Sequence, residues 1–322
     1  MDSDSLLNQQ ADVIETVLAH FRLPARVNGG MVAPRFIRFY ISPAQGTRLK
    51  RVIALEDEIA MALGSQDVRI NRRGGQIEIQ VPRNSFHGLS MFALREKIKP
   101  IPPDMVMLGL DEEGHPLLVR LTSPEVAHVL ISGTTGSGKT ALMRTIGYGI
   151  VLDSHPKDWG LVLIDPKGRG LRPLADAQHV VAQELGSPVA EAVRLLHWLV
   201  ELMEKRDREE IDRPRIALFI DEVADLMLAG GREVEVALAR LSGRGREAGV
   251  HIIASTQKPS SQAVGSLARA NFPLRLVGRV LSAEDSKIGA GLKGIGAERL
   301  LGRGDFIAVT GGKSVRFQAA YA

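Results

Sequence analysis

The chain has 322 residues, 44% hydrophobic and 24% charged, the profile of an ordinary soluble globular protein with room for one large domain and one smaller one. It has no cysteine, which excludes a disulfide framework and a thiolate-ligated zinc site, and no uncharged apolar run near the roughly 18–20 residues that span a bilayer. Net charge is +4, from 41 Lys and Arg against 37 Asp and Glu, an excess that permits a polyanionic partner without establishing one.

The N-terminus, Met-Asp-Ser-Asp-Ser, is acidic and lacks the basic-then-apolar order of a signal peptide, so a cytoplasmic protein is expected. Val13, Ile14, Val17, Leu18 and Phe21 then repeat at helical spacing, and Arg35 to Ile41 reads as a strand. Val52, Leu55, Ile59 and Leu63 mark a second helix, and Ile77, Ile79 and Val81 alternate after the hairpin signal Gly74-Gly75. Pro100, Pro102 and Pro103 cannot be helix interior and would break a central strand, so the chain divides there: a small α+β domain over 1–99 and a second domain over 100–322. In the second, Val126 to Ser132, Leu161 to Asp165, Ile216 to Asp221 and Val250 to Ser255 are short apolar runs of the kind buried in a parallel sheet. Helices lie between them, the clearest carrying Val189, Val193, Leu196, Val200 and Met203 on one stripe, with the charged stretch Glu204 to Glu210 as its solvated end. The alternation predicts an α/β domain, doubly wound around a mainly parallel sheet.

Gly133-Thr134-Thr135-Gly136-Ser137-Gly138-Lys139-Thr140 matches the phosphate-binding pattern G-x-x-x-x-G-K-[ST] at every fixed position, with an apolar strand running in and a helix pattern (Ala141, Leu142, Ile146, Ile150) running out. Glycines let the backbone turn its N–H groups toward phosphates, Lys139 supplies a mobile cation, and the Thr140 hydroxyl suits Mg²⁺. The expected ligands are therefore ATP and Mg²⁺, with Gly133 to Ala141 around the phosphates. The run Ile216 to Ile220 ends in Asp221-Glu222. A carboxylate at such a strand tip faces the ligand crevice, so Asp221 is expected at the metal and Glu222 beside the attacking water as general base. Gln257, after the strand Val250–Ser255, can hydrogen-bond the γ-phosphate or the water, or simply cap a loop. For Asp165, before Pro166-Lys167, a local structural role and a functional one both fit.

These residues in combination resemble the FtsK/SpoIIIE DNA translocases. The resemblance is carried by His128 to Thr140, Ile164-Asp165-Pro166-Lys167, Asp221 to Met227, and Ala254 to Ser260. It continues through Ala270 to Arg275, Glu284 to Lys287 and Leu300 to Asp305, and in the N-terminal block through Glu15 to Phe21 and Leu55 to Leu63. It implies a RecA-like P-loop NTPase core preceded by the small domain, a hexameric ring, and double-stranded DNA in its channel. It also implies that Arg275 reaches the neighbouring subunit's ATP as an arginine finger, and that DNA is touched near Lys287 and the later hairpin, at Lys313 and Arg316. Lys287 stands where the family usually has Arg, keeping the charge and losing the planar fork. Arg299, Arg303 and Lys293 join them as basic residues in Gly-rich connections, which can follow a phosphate backbone. Neither the membrane anchor nor the winged-helix module of the family is expected within these residues.

The function so implied is an ATP-hydrolysing ring motor that moves duplex DNA largely without regard to sequence. Two alternatives stay open: a P-loop ATPase that moves protein, and an ATP-gated assembly scaffold with negligible turnover. The N-terminal block weighs against the first, and Glu222 against the second.

Overall fold

The structure is a computed structural model that describes residues 3–33, 35–44, 46–65, 68–73, 75–83, 88–259 and 271–322. Gly74, Ser260 and Ala270, used in the sequence reading, lie outside the described residues. The chain forms two compact units, Met1–His87 with Glu112–Gly114, and Gly88–Asp111 with His115–Ala322. Among the described residues no helix is long and apolar enough to cross a membrane.

The first unit is a four-stranded antiparallel sheet under helices. Helix α1 (Ser3–His20) places Ile14 and Leu18, one turn apart, against the sheet. Strands β1 (Ala25–Val32), β2 (Phe36–Pro43), β3 (Arg69–Arg73) and β4 (Gln76–Pro82) take the order β1-β2-β4-β3. The pairing of Ile37 with Val81 and Phe39 with Ile79 stacks apolar side chains on the buried face. The single helix expected from Val52 to Leu63 is instead two, α2 (Leu49–Ile53) and α3 (Glu56–Ala62). Glu56, Asp57 and Glu58 crowd the first turn of α3, where acidic groups favour the positive end of a new helix, and the stripe of Val52, Leu55 and Ile59 stays buried across the break.

The second unit begins with α4 (Met91–Ile98), capped by Ser90 Oγ, which accepts from Ala93 N. Helix α4 lies ahead of the prolines and belongs with the second unit: Met91 and Leu94 pack with Met107 of β5. Its strands are β5 (Met105–Asp111), β6 (Pro116–Arg120), β7 (Val129–Ser132), β8 (Trp159–Asp165), β9 (Val180–Leu185), β10 (Arg215–Ile220), β11 (Val250–Thr256), β12 (Leu274–Val277), β13 (Asp305–Thr310) and β14 (Lys313–Ala319). They form one ten-stranded sheet in the order β6-β5-β14-β13-β12-β7-β11-β10-β8-β9. From β12 to β9 every pairing is parallel; from β12 to β6 every pairing is antiparallel.

Helices α5 (Lys139–Asp153), α6 (Val189–Glu209), α7 (Val223–Arg244) and α8 (Ala283–Ala290) follow strands. Alternation along β10 explains the layering: Ile216, Leu218 and Ile220 enter the core shared with α6 and α7, while Ala217 and Phe219 enter the one shared with α5. Each such fully buried side chain contributes about 1.5–3 kcal/mol by leaving water. A parallel sheet covered on both faces turns its strand tips into the open edge where ligands bind. One departure concerns the charged end of α6. Arg206 is buried there, donating to the carbonyls of Ala248 (3.0 Å) and Pro214 (2.7 Å), and burial lowers its pKa.

Candidate active site

Beyond β7 the backbone wraps through Gly133 to Gly138 and enters α5 at Lys139. Gly138 caps that helix with φ +105°, and a Cβ there would lie 2.9 Å from Gly304 N, so the position requires glycine twice over. The loop is buttressed from the other half of the sheet: Thr134 N donates to Arg279 O (2.7 Å), Arg303 N to Gly136 O (3.0 Å) and Gly304 N to Ser137 O (2.7 Å). Lys139 Nζ donates to Gly133 O (2.8 Å) and Thr134 O (3.2 Å). Burial lowers the Lys139 pKa, opposed by the nearby carboxylates of Glu222 and Asp221.

A cleft of about 310 Å³ opens beside it, lined on one side by Thr135, Gly136 and Gly138 to Ala141 and on the other by Lys167, Asp221, Glu222 and Gln257. The register that pairs Ile220 with Ala254 sets Ser255 beside the acidic pair. Ser255 Oγ donates to Asp221 Oδ1 (2.6 Å) and accepts from Glu222 N (3.1 Å). Asp221 Oδ2 in turn accepts from Thr140 Oγ1 (3.4 Å). Two hard oxygen donors thus meet at the mouth of the phosphate loop, a donor set that fits Mg²⁺. Glu222 is held in the left-handed region (φ +61°), a strain of order 1 kcal/mol or more for a residue with a side chain. Its carboxylate accepts from Gln257 N (3.0 Å) and Thr256 Oγ1 (3.1 Å). Gln257 Oε1 accepts from Thr135 Oγ1 (2.9 Å), tying the third strand tip to the phosphate loop.

The cleft therefore gathers Lys139, Thr140, Asp221, Glu222 and Gln257. Asp165, wholly buried, accepts from Lys167 N (3.0 Å) and Leu171 N (3.1 Å) and closes the turn after β8. Ser255 and Lys167 were not singled out from the sequence. A polar residue just before the tip of an apolar strand was the available signal for the first.

Arg275 is elsewhere. It sits within β12, 8% exposed, with Nε donating to Phe272 O (3.4 Å) and the guanidinium against Gly291 of its own chain; burial lowers its pKa. The basic residues expected in Gly-rich connections also differ in setting. Lys287 lies in α8 beside Glu284 (3.3 Å), Arg299 in a short 3-10 turn beside Glu298 (3.7 Å), and Lys313 and Arg316 on β14. Lys313 and Lys293 are exposed. Arg316 grips Asp305 by a two-pronged fork, Nε at 2.9 Å and a terminal nitrogen at 2.8 Å, because the β13–β14 register brings them diagonally together. Arg303 has its backbone docked on the phosphate loop. Lys293 and Arg303 alone of these six occupy loops.

Comparison with known proteins agrees with this geometry. The model of the FtsK/SpoIIIE family matches residues 98–211 and 206–261, and that of the FtsK alpha domain matches residues 1–83. The chain is 32% identical over 356 aligned residues to DNA translocase FtsK of Staphylococcus epidermidis, covering 99% of this chain and 43% of that protein. It is 31% identical to DNA translocase SftA of Bacillus subtilis, covering 99% and 36%. The chain thus spans less than half the length of these relatives. Among solved structures, the pCW3 conjugation coupling protein TcpA, a monomer form with ATPgS, superposes with a TM-score of 0.65 at 17% identity, covering 97% of this chain and 95% of that one. The cytoplasmic domain of the type VII secretion ATPase EccC of Thermomonospora curvata gives 0.61 at 22% identity, covering 73% and 32%. Both share the P-loop ATPase fold.

Proposed function

Because the chain belongs to the FtsK/SpoIIIE family, we propose that it hydrolyses ATP and uses the cycle to translocate double-stranded DNA through a ring, a hexamer, of its own copies. The observation that carries the chemistry is the convergence of Lys139 and Thr140, at the start of α5, with Asp221 and Glu222, at the tip of β10, on one cleft. The cargo is supported by the likeness to DNA translocases along the whole chain, N-terminal unit included.

In this mechanism the N–H groups of the phosphate loop and the start of α5 receive the phosphates. Lys139 leaves the carbonyls of Gly133 and Thr134 for them. Thr140 and Asp221 would hold Mg²⁺, whose chemistry is to neutralise charge building on the phosphate oxygens. Glu222, kept in place by Gln257 N–H and the Thr256 hydroxyl, takes the proton of the attacking water as its oxygen bonds to the terminal phosphorus and the bond to the β-phosphate oxygen breaks. Gln257, linked to Thr135, is placed to feel the departure of that phosphate. Arg275 is assigned to the neighbouring subunit's triphosphate, and its burial means that the segment around Gly291 must yield for it to reach there. Lys287, Lys293, Arg299 and Lys313 supply charge for the DNA backbone, with Arg316 shaping the hairpin through Asp305.

Steady-state ATPase measured with and without long duplex DNA at low salt tests this. Several-fold stimulation by duplex of any sequence is expected, falling as salt rises. Turnover unchanged by saturating duplex, or raised by a polypeptide in its place, would remove DNA as the cargo.

A further inference from the structure

The turn after β8 is built around Asp165. Both of its carboxylate oxygens accept backbone N–H groups of the turn, and its carbonyl accepts from Gly168 N (2.9 Å) and Gly186 N (2.8 Å). Gly170 brings this turn against the metal-binding pair, so close that a Cβ would overlap Asp221 Oδ2 and crowd Thr140 Cγ2. The turn is therefore one wall of the nucleotide cleft, and Lys167 lines that cleft. The Lys167 ammonium lies 3.4 Å from the carboxylate of Asp225, in the first turn of α7, and both side chains are 58% exposed. An ion pair as exposed as this adds little to stability, so packing gives no reason for a lysine there. Lys139 and Lys167 line the same cleft from opposite sides. A phosphate group between them would be met by both cations.

We propose that Lys167 binds the terminal phosphate of the triphosphate, leaving Asp225 to do so, and that Asp165 is its positioning residue. This rests on the cleft being the nucleotide site. With diphosphate bound, Lys167 stays on Asp225; with triphosphate it crosses to the phosphate. The first turn of α7 then loses or regains an ionic partner with each turnover. Lys167 thereby makes the site prefer triphosphate over diphosphate.

Calorimetric titration of the full chain with ADP and with a non-hydrolysable imidotriphosphate analogue of ATP, both with Mg²⁺, tests it. Lys167→Met is expected to weaken the triphosphate analogue by about tenfold or more while leaving ADP within about twofold, the loss of one charge-assisted contact to the last phosphate. Lys167→Arg should keep most of the preference. Asp225→Asn should tighten the analogue by about threefold, by removing the competing carboxylate. Unchanged affinity of Lys167→Met for the analogue, or equal weakening of both nucleotides, overturns the assignment. Failure of the unmodified chain to bind either nucleotide overturns the nucleotide site itself, and this inference with it.

Discussion

On the parallel side of β12, charged and polar side chains are bonded across strands: Asp221 to Ser255, Glu222 to Thr256 and Gln257, His128 and His251 between β7 and β11. On the antiparallel side, charge either stands in solvent, as at Lys313, or is joined to an adjacent strand, as Arg316 is to Asp305. The difference fits the division of work proposed above. Chemistry on a triphosphate gains from groups fixed before the substrate arrives, since nothing then has to reorganise. Holding a polyanion at any position along its length needs cations that can exchange solvent and counterions for phosphate.

Arg275, on the strand where the two halves meet, offers the largest test. Arg275→Ala is expected to cut turnover by about 10³–10⁵-fold while sparing nucleotide binding, if its guanidinium serves a neighbouring site. Full turnover with a lowered melting temperature would make it a packing residue of β12 instead. Next is Glu222→Gln, for which single-turnover hydrolysis should fall by about 10²–10⁴-fold with nucleotide still bound. A loss under about tenfold would leave the parallel side as a scaffold without a base.

Acid should separate the halves by stability. Burial, with the His251 charge second, pushes His128 down to about 3, and burial pushes His251 down to about 4. Unfolded, both take up a proton near pH 6.5, so below that pH the unfolded chain binds more protons than the folded one. Stability is therefore complete above about pH 6.5 and is lost as pH falls toward 4, by at most about 1.4 kcal/mol per pH unit for each ring. Urea midpoints between pH 7 and 4.5 should show this slope, and His251→Phe should flatten it by about half. A slope unchanged in that variant would place the titration elsewhere.

The smallest effects lie on β14. Arg316→Ala should cost about 1.5–3 kcal/mol of stability by stripping the buried Asp305 of its fork. Lys313→Ala should leave the melting temperature alone and reduce the slope of log affinity for duplex against log salt by about 0.9. If both variants weakened DNA binding alike with no change in melting, the contrast between the halves would fail.

What could be read from the sequence was what the chain keeps together. Gly133 to Thr140 are consecutive, so strand, turn and helix announce themselves locally, and Asp221-Glu222 end their own apolar run. Ser255 and Lys167 were not legible, because their value depends on β11 and β8 flanking β10, an order no local pattern records. Arg206 and Arg316 show the same limit for charge. In a charged run or a Gly-rich tail each resembles its neighbours, and only the carbonyls of Ala248 and Pro214, or the carboxylate of Asp305, distinguish it. The break between α2 and α3 was hidden because the apolar stripe continues across it. That the β5–β6 hairpin joins this sheet was hidden because the strand β5 pairs with, β14, lies far along the chain.

That last separation bears on how the molecule is made. Among the described residues strand β14 links the β5–β6 hairpin to the rest of the sheet, and Arg303 and Gly304, just before β13, are among the residues that brace the phosphate loop. A ribosome releases the hairpin and the loop early and their common support late. Until the β13–β14 hairpin emerges, the β5 edge that pairs with β14 has no strand beside it, an exposure of the kind that invites wrong pairing.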